Sequence, residues 1–526
     1  MIPDVDVIVV GSGPAGVSAT FPMVAAGLHV MMVDGGRQAT ISPPESPFLT
    51  ARAQDEAQWK WMIGQNFYAL RKLDSVSPKL RVPALGYVFE GFEAANRIDA
   101  QNFVAVGSLA TGGLSNAWGC GVARLSSAEL SNFPFSTAEI EQSYETVTRR
   151  IGVSGGHDDD LSDYFGLDAW SQPAIQMDIV HNKVFKRYMK RKADFAALGF
   201  RLGRSRVAVL SVDHGGRKAC DLSGNCLYGC HRRALYSSAD ELSMLQKYPN
   251  FHHVGGFVAE DVARSGDFLS VNGQQGSERR SISASKVVLA AGTLATTGLA
   301  LRALKLTQSV PLLSCPTAAF LLWVPSLFGA ARQQAFGLGQ LSFALTMKKG
   351  ISAFGSTFGT TGIPLSEFIA HLPLRRRYGI DVLRGLLSSC LVGNIFLPGQ
   401  LSNAKAALGA DGSLRIEGGY SDCARALMAD AEKRLRKAYW KFGSVLLPMS
   451  FTVGRPGGDI HYAGTLPMRV HPVIGETDAL GELCGLKDVY VADGASLSAL
   501  SEKSHALTIM ANADRIGRAL AKQFKV

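Results

Sequence analysis

The stretch Val5-Asp6-Val7-Ile8-Val9-Val10-Gly11-Ser12-Gly13-Pro14-Ala15-Gly16 decides the fold. Its first half is an apolar run of strand length, and its second half is a G-x-G-x-x-G turn opening a helix-compatible segment. A second apolar run, Val30 to Val33, ends in Asp34, 18 residues after Gly16. Each residue of the turn has a physical task. Gly11 permits the tight exit from the strand, Gly13 lets the backbone approach a pyrophosphate, and Gly16 lets the helix pack closely on the strand. Pro14 and Ala15 begin the helix, whose free N–H groups face the phosphates. Asp34 stands where a carboxylate accepts hydrogen bonds from a ribose diol. Strand, helix, second strand and acid follow in the order of a dinucleotide-binding unit. The turn alone does not separate FAD from NAD.

Composition frames this motif. A chain of 526 residues suggests two domains, and 47% apolar with 19% charged residues describes an ordered, rather hydrophobic globular protein. The 56 glycines exceed the usual share of roughly 7%, as tight βα turns and a backbone pressed against a large cofactor require. The net charge of +10 is scattered and no nucleic-acid motif accompanies it, so nucleic acid is excluded as a partner. Met1-Ile2-Pro3-Asp4 has no basic or apolar leader character, and eight cysteines are sparse for this length. A cytoplasmic location is therefore expected.

Further along, Gly107 to Gly121 is too glycine-rich for a regular element. Gly112, Gly113, Ser115 and Asn116 would let backbone and small polar groups line a flat ring system, the alternative being a packed surface loop. Val254 to Val258 and Lys286 to Ala291 read as strands, the second ending in Ala290-Ala291-Gly292-Thr293, a turn suited to passing beside a dinucleotide. Leu391 to Leu397 reads as a buried strand, Asp411-Gly412 as a hairpin turn into Leu414 to Glu417, and Ala426 to Phe442 as an amphipathic helix. Near the end, His461 opens His461-Tyr462-Ala463-Gly464-Thr465. An apolar run from Val489 leads to Asp493-Gly494, and His505 starts another helical segment with Thr508 one turn on.

Taken together, these landmarks resemble the glucose-methanol-choline (GMC) oxidoreductase family. The glycine clamp, Gly112-Gly113-Leu114-Ser115-Asn116, His461 to Thr465, Val489 to Gly494, and His505 with Thr508 follow in that family's order. Roughly residues 300–450 match only loosely. The resemblance implies FAD as cofactor, with Val258 touching the adenine side through its backbone. It implies Ala291, Gly292, Asp493, Gly494 and Thr508 alongside the clamp, His461 as catalytic base and His505 as its partner across the substrate. Some sugar-oxidising relatives attach FAD covalently through a histidine in the glycine-rich loop. Here Ala117 and Trp118 stand near that point, so the flavin is expected to be non-covalent.

The implied chemistry suits these side chains. Alcohol oxidation needs removal of a hydroxyl proton and hydride transfer to the flavin. A near-neutral imidazole takes the proton, and a second group fixes the hydroxyl. The expected fold is α/β: a Rossmann-like FAD-binding domain from residues 1–160, 200–300 and 455–526, interleaved with an α+β substrate domain from 161–199 and 301–454 built on an antiparallel sheet. The expected function is oxidation of a CH–OH group of a sugar, glycoside or related polyol, with oxygen, a quinone or a redox protein as acceptor. Oxidation of a hydrophobic, sterol-like or lipid-linked alcohol is one alternative. A non-redox lyase using the same histidines with structural FAD is another.

Two further segments draw attention. Cys220, Cys226 and Cys230, with His231, lack the paired C-x-x-C of ordinary zinc sites, so no metal is expected there. His252-His253 reads as a loop pair. Residues 306–331 carry only Lys-free, uncharged side chains broken by Pro311, Pro316 and Pro325, and a basic Arg375-Arg376-Arg377 precedes the uncharged stretch 385–404. Core and cavity wall is one reading of these two stretches; a peripheral membrane contact is the other.

Overall fold

The computed structural model describes residues 4–57, 59–71, 77–157, 159–363 and 375–524. Met1 to Pro3, read above for a leader, lie outside them.

Val5–Val10 forms the middle of a parallel sheet, flanked by Val30–Val33 on one side and Glu278–Leu289 on the other. Phe251–Val254 extends the sheet beyond Val30–Val33, and Val489–Val491 extends it beyond Glu278–Leu289. Five of the six residues of Val5–Val10 are buried, because Val7 and Val9 pack on the helices Pro14–Ala25 and Ala506–Gln523, while Val5, Ile8 and Val10 pack on the antiparallel strands Phe257–Ser265 and Phe268–Gln275 and the helix Thr293–Leu304. The register matters for function. Val10 pairs with Val33 and Leu289, Leu289 with Val491, and Val33 with Val254. All these strands thus end at one edge, which delivers Gly11, Asp34, Ala290 and Asp493 to the same place. The helix Pro14–Ala25 leaves from this edge and packs on Ala506–Gln523, where a Cβ on Gly517 would fall 2.1 Å from the Ala19 carbonyl oxygen. That contact needs glycine.

The second sheet is antiparallel throughout, in the order Val445–Leu446, Thr317–Trp323, Cys390–Phe396, Ser352–Gly359, Gly339–Thr346, Phe200–Arg204. Alternation sorts its two faces. Phe320, Phe343 and Leu341 pack against Ala431, Leu435 and Tyr439 of the helix Asp422–Lys441. Their neighbours Ala319 and Ser342, with Phe354, Ser356, Asn394 and Phe396, face a cavity instead. A small sheet joins Ile98–Gln101, Leu414–Glu417, Lys405–Leu408 and Val310–Pro311.

Three placements differ from the sequence reading. Phe200–Arg204, expected in the dinucleotide-binding part, is the edge strand of the antiparallel sheet, where Phe200 stacks on Phe343 at 5.7 Å. Val254 to Val258 is not one strand. It breaks at Gly255-Gly256, because the backbone at Gly36 presses so close that a Cβ there would meet the Gly256 nitrogen at 2.2 Å. His253 is not in a loop but on Phe251–Val254, with Nε2 3.2 Å from Asp34 Oδ1. The uncharged run 306–331 supplies the strands Val310–Pro311, Leu313–Ser314 and Thr317–Trp323. Among the described residues no helix is long and apolar enough to cross a membrane.

Candidate active site

A cavity of about 500 Å³ runs from Asp34, past the glycine turn, to His461 and His505, and then along the inner face of the antiparallel sheet. It starts where parallel strands end, the usual place for a ligand in such sheets.

The glycine turn is built as its sequence requires. Gly11 has φ +108°, and a Cβ there would fall 2.3 Å from the Ala290 carbonyl oxygen. A Cβ on Gly16 would fall 1.9 Å from the Gly11 oxygen, so Gly16 serves helix–strand packing and does not line the cavity. Gly13, Pro14 and Ala15 do line it, at the N-terminus of the helix Pro14–Ala25. Gly13 differs from its neighbours: a Cβ there meets nothing within 4 Å. Its lack of a side chain keeps the cavity open beside the N-terminus of the helix Pro14–Ala25. Gly13→Ala is expected to leave thermal stability unchanged and, for a dinucleotide cradled at this turn, to weaken binding by about tenfold, about 1.4 kcal/mol. Gly11→Ala is expected to destabilise the protein itself, since positive φ alone costs about 1–2 kcal/mol. Fluorescence titration with FAD beside thermal melts of both variants separates the two.

Asp34 is oriented by its neighbours. The Ser12 hydroxyl donates to Asp34 Oδ2, and the Gly36 N–H donates to Oδ1 at 2.9 Å. Ser12 Oγ also accepts from the Gly112 N–H at 3.0 Å, which ties the glycine-rich loop to the glycine turn. Within that loop Gly112 and Gly113 have φ +88° and +58°, and Ser115 donates to the Gly112 oxygen. Gly113 and Ser115 line the cavity. Asn116 does not: its amide donates to the Thr111 and Gly113 oxygens at 2.9 Å and accepts from Ser237. Val258, Ala291, Gly292, Asp493 and Gly494 all line the cavity. Asp493 accepts from the Gly292 N–H at 2.8 Å, from Thr296 and from the Ala495 N–H at 2.9 Å, and burial pushes its carboxyl up to about 6. Thr508 stands one turn beyond His505 but lies off the cavity, its hydroxyl bonded to Tyr144 at 2.8 Å.

His461 and His505 meet with ring centroids 5.0 Å apart and planes at 70°. Phe396 packs on His461 at 4.4 Å. His461 Nδ1 lies 3.0 Å from the Asp459 carbonyl oxygen. A carbonyl only accepts, so Nδ1 carries the proton and Nε2 keeps a free lone pair. Burial holds His461 down to about 4. Burial and the neighbouring His461 hold His505 down to about 3. Both rings are thus neutral near pH 7. Among the described residues His505 Nδ1 is buried and has no hydrogen-bond partner.

Several residues that sequence reasoning missed shape the wall. Hydroxyls run Ser205–Ser342–Ser356 at 2.8 and 2.9 Å, and the Ser356 N–H donates to Asn394 Oδ1 at 2.8 Å. Phe354, Phe358 and Phe396 supply aromatic surface beside them. Their spacing by two along single strands was the available signal, but nothing in the chain tells which face meets the cavity. Arg206, also at the wall, is fully buried between Asp159 at 2.7 Å and Asp168 at 2.6 Å. Away from the cavity's catalytic end, burial pushes the Cys220 thiol up to about 11 and raises Cys226 further, which keeps both protonated. Among the described residues no three Cys, His, Asp or Glu side chains are placed to hold a metal ion.

The residues fit a flavin dinucleotide. The cradle at Gly13 is open, a helix N-terminus faces it, an acid stands at one end and neutral imidazoles at the other. Comparison with known proteins agrees with the fold. The crystal structure of pyridoxine 4-oxidase from Mesorbium loti superposes with a TM-score of 0.57 at 11% identity, covering 98% of this chain and 99% of that one. In sequence the chain is similar to paromamine 6'-oxidase of Streptomyces fradiae, 24% identical over 265 residues. That match takes in 47% of this chain and 39% of the relative, well under half of the relative's length. No family model matches the chain.

Proposed function

We propose that this chain, similar to GMC oxidoreductases in fold and in part of its sequence, is an FAD-dependent oxidoreductase acting on a CH–OH group of a sugar-like alcohol. The observation that carries this reading is the pair of facing neutral imidazoles at the far end of a dinucleotide-shaped cavity. Gly11, Gly13, Pro14 and Ala15 would hold the pyrophosphate, Asp34 the ribose, and Ser115, Ala291, Gly292, Asp493 and Gly494 the rest of the cofactor without a covalent bond. Bound there, the flavin supplies the acceptor for the hydride. His461 takes the hydroxyl proton at Nε2, the nitrogen that its bond to the Asp459 carbonyl leaves free. His505, whose ring stands 5.0 Å from that of His461 at the same cavity wall, orients the same hydroxyl and so fixes the direction of the C–H bond.

A wall that alternates hydroxyls with phenyl rings suits a sugar ring, which presents O–H groups at its edge and C–H groups on its faces. The same three phenylalanines favour a hydrophobic alcohol as the second reading. The test is anaerobic mixing of the holoprotein with sugars, glycosides, sterols and long-chain alcohols while following oxidised-flavin absorbance. Bleaching by sugars or glycosides is expected. Bleaching only by sterols or long-chain alcohols moves the assignment to the second reading, and a stable flavin band with every compound removes alcohol oxidation. Admitting oxygen to the bleached protein then tests it as electron acceptor: rapid return of the band is expected of an oxidase.

A further inference from the structure

One helix beside the cavity buries one apolar stripe and leaves another bare. Leu383, on the helix Arg376–Leu386, is buried with Leu387 against Trp323, Ile363 and Val392. Ile363 and Val392 also line the cavity. Val392 stands four residues before Phe396 on one strand, about 13 Å from it. Phe396 is the ring that packs on His461, so this helix backs the end of the cavity away from the histidines.

About a quarter turn round the same helix lie Tyr378 and Val382, one turn apart and 61% and 46% exposed. Gly385 is the next position on that stripe, where a Cβ would meet the Phe328 ring at 3.7 Å, and Phe328 is itself 62% exposed. A single exposed apolar side chain needs no explanation, but three aligned on one face mark a contact surface. The charge around them is mostly positive. Arg375 and Arg377, at the start of the helix, are exposed. Lys183 and Arg187 reach Ser326, two residues before Phe328, at 3.4 and 3.3 Å. The helix sequence holds Arg376, Arg377 and Arg384 against one acid, Asp381.

We infer that Phe328 and the helix Arg376–Leu386 dock on an anionic phospholipid surface, with the far end of the cavity behind them. Aromatic rings settle at the level of the headgroups, while arginine and lysine meet the lipid phosphates. A protein partner, or a second copy of this chain, would need about 800 Å² on each side, more than three exposed side chains supply. Shallow insertion helped by diffuse charge needs far less. This docking goes beyond the oxidation reading above and does not depend on it.

The test is co-sedimentation of the full-length holoprotein with vesicles of phosphatidylcholine alone and of equal parts phosphatidylcholine and phosphatidylglycerol. At low ionic strength, binding to the anionic vesicles is expected to be at least about tenfold stronger, and high salt should cancel most of that preference. Arg375→Gln with Arg377→Gln is expected to weaken anionic binding about tenfold, and Phe328→Ser with Tyr378→Ser by a similar factor. All four side chains are exposed, so thermal melts and the flavin spectrum should not change. Val470→Ser with Ile474→Ser alters an exposed apolar pair on another loop and should leave binding as it is. Protein that stays in the supernatant with anionic vesicles overturns the docking face. Equal binding to both vesicles overturns it too, as does binding that neither helix-side pair weakens or that the Val470 and Ile474 pair weakens as much. A concentration-dependent dimer abolished by Phe328→Ser, without vesicle binding, assigns the face to a second copy and likewise overturns it.

Discussion

Replacing His461 with alanine is expected to slow reduction of the bound flavin by substrate by about 10²–10⁴-fold, the usual span for a positioned general base. The reasoning is geometric. The Asp459 carbonyl fixes the proton on Nδ1, Phe396 packs on the ring at 4.4 Å, and Nε2 is the free acceptor. Alanine removes that acceptor but touches none of the residues assigned to the dinucleotide, so FAD should remain bound and its oxidised spectrum unchanged. Stopped-flow reduction of His461→Ala against the unaltered protein measures this; unchanged rates would take the base role away from His461. The pH profile gives a second reading of the same residue. Burial lowers the imidazole to about 4, so the neutral, proton-accepting form persists well below the ordinary histidine range. The acid limb of kcat/KM should therefore fall near pH 4 rather than near 6.5, and it should vanish in His461→Ala. A limb near 6.5 would mean that water reaches the ring.

The second large effect concerns stability. Arg206→Ala is expected to cost about 3 kcal/mol, because it takes the cation from the buried Asp159, which keeps only the Leu161 and Arg204 N–H donors, and from the partly exposed Asp168. The guanidinium bonds Asp159 at 2.7 Å and Asp168 at 2.6 Å, and it lies 5.1 Å from the Phe165 ring. The Val122 N–H also donates to the Arg206 oxygen at 3.0 Å, which ties this pairing to the glycine-rich loop. Urea denaturation followed by tryptophan fluorescence measures the loss. Replacing all three side chains together, Arg206→Met with Asp159→Asn and Asp168→Asn, should recover most of it, since no buried charge is then left unpaired. A loss under about 1 kcal/mol for Arg206→Ala would mean that both carboxylates find other partners.

The contrast between these two residues shows what the sequence can carry. The central strand was legible because a parallel strand buried on both faces is written as an unbroken apolar run, and the turn after it because Gly11 and Gly16 meet contacts no side chain tolerates. His461 and His505 stand out by their landmarks in order, and the structure places their rings edge-to-face 5.0 Å apart at the cavity wall. Arg206 was illegible, because its partners lie 38 and 47 residues away and no local pattern pairs them. Phe200–Arg204 was misplaced for a similar reason. Alternating Phe200 and Leu202 specify a strand with one buried side, but not the sheet that buries it. Asn116 and Thr508 illustrate the opposite error. Both stand within the matched landmarks, yet their side chains are spent on Gly113 and Tyr144 rather than on the cavity. The serine wall was invisible because Ser205, Ser342 and Ser356 come together only through strand pairing.

The outermost strand of the parallel sheet, Val489–Val491, has a consequence for biosynthesis. It follows Val5–Val10 by nearly the whole length of this chain, yet it places Asp493 against Gly292 at the same edge of the sheet. A nascent chain still tethered at residue 480 has the glycine turn and Asp34 but neither Asp493 nor His505. The cleft is therefore incomplete in any chain that stops before this strand. A chain cut short upstream of this strand loses Asp493 and His505 together, and with them one whole end of the cavity wall.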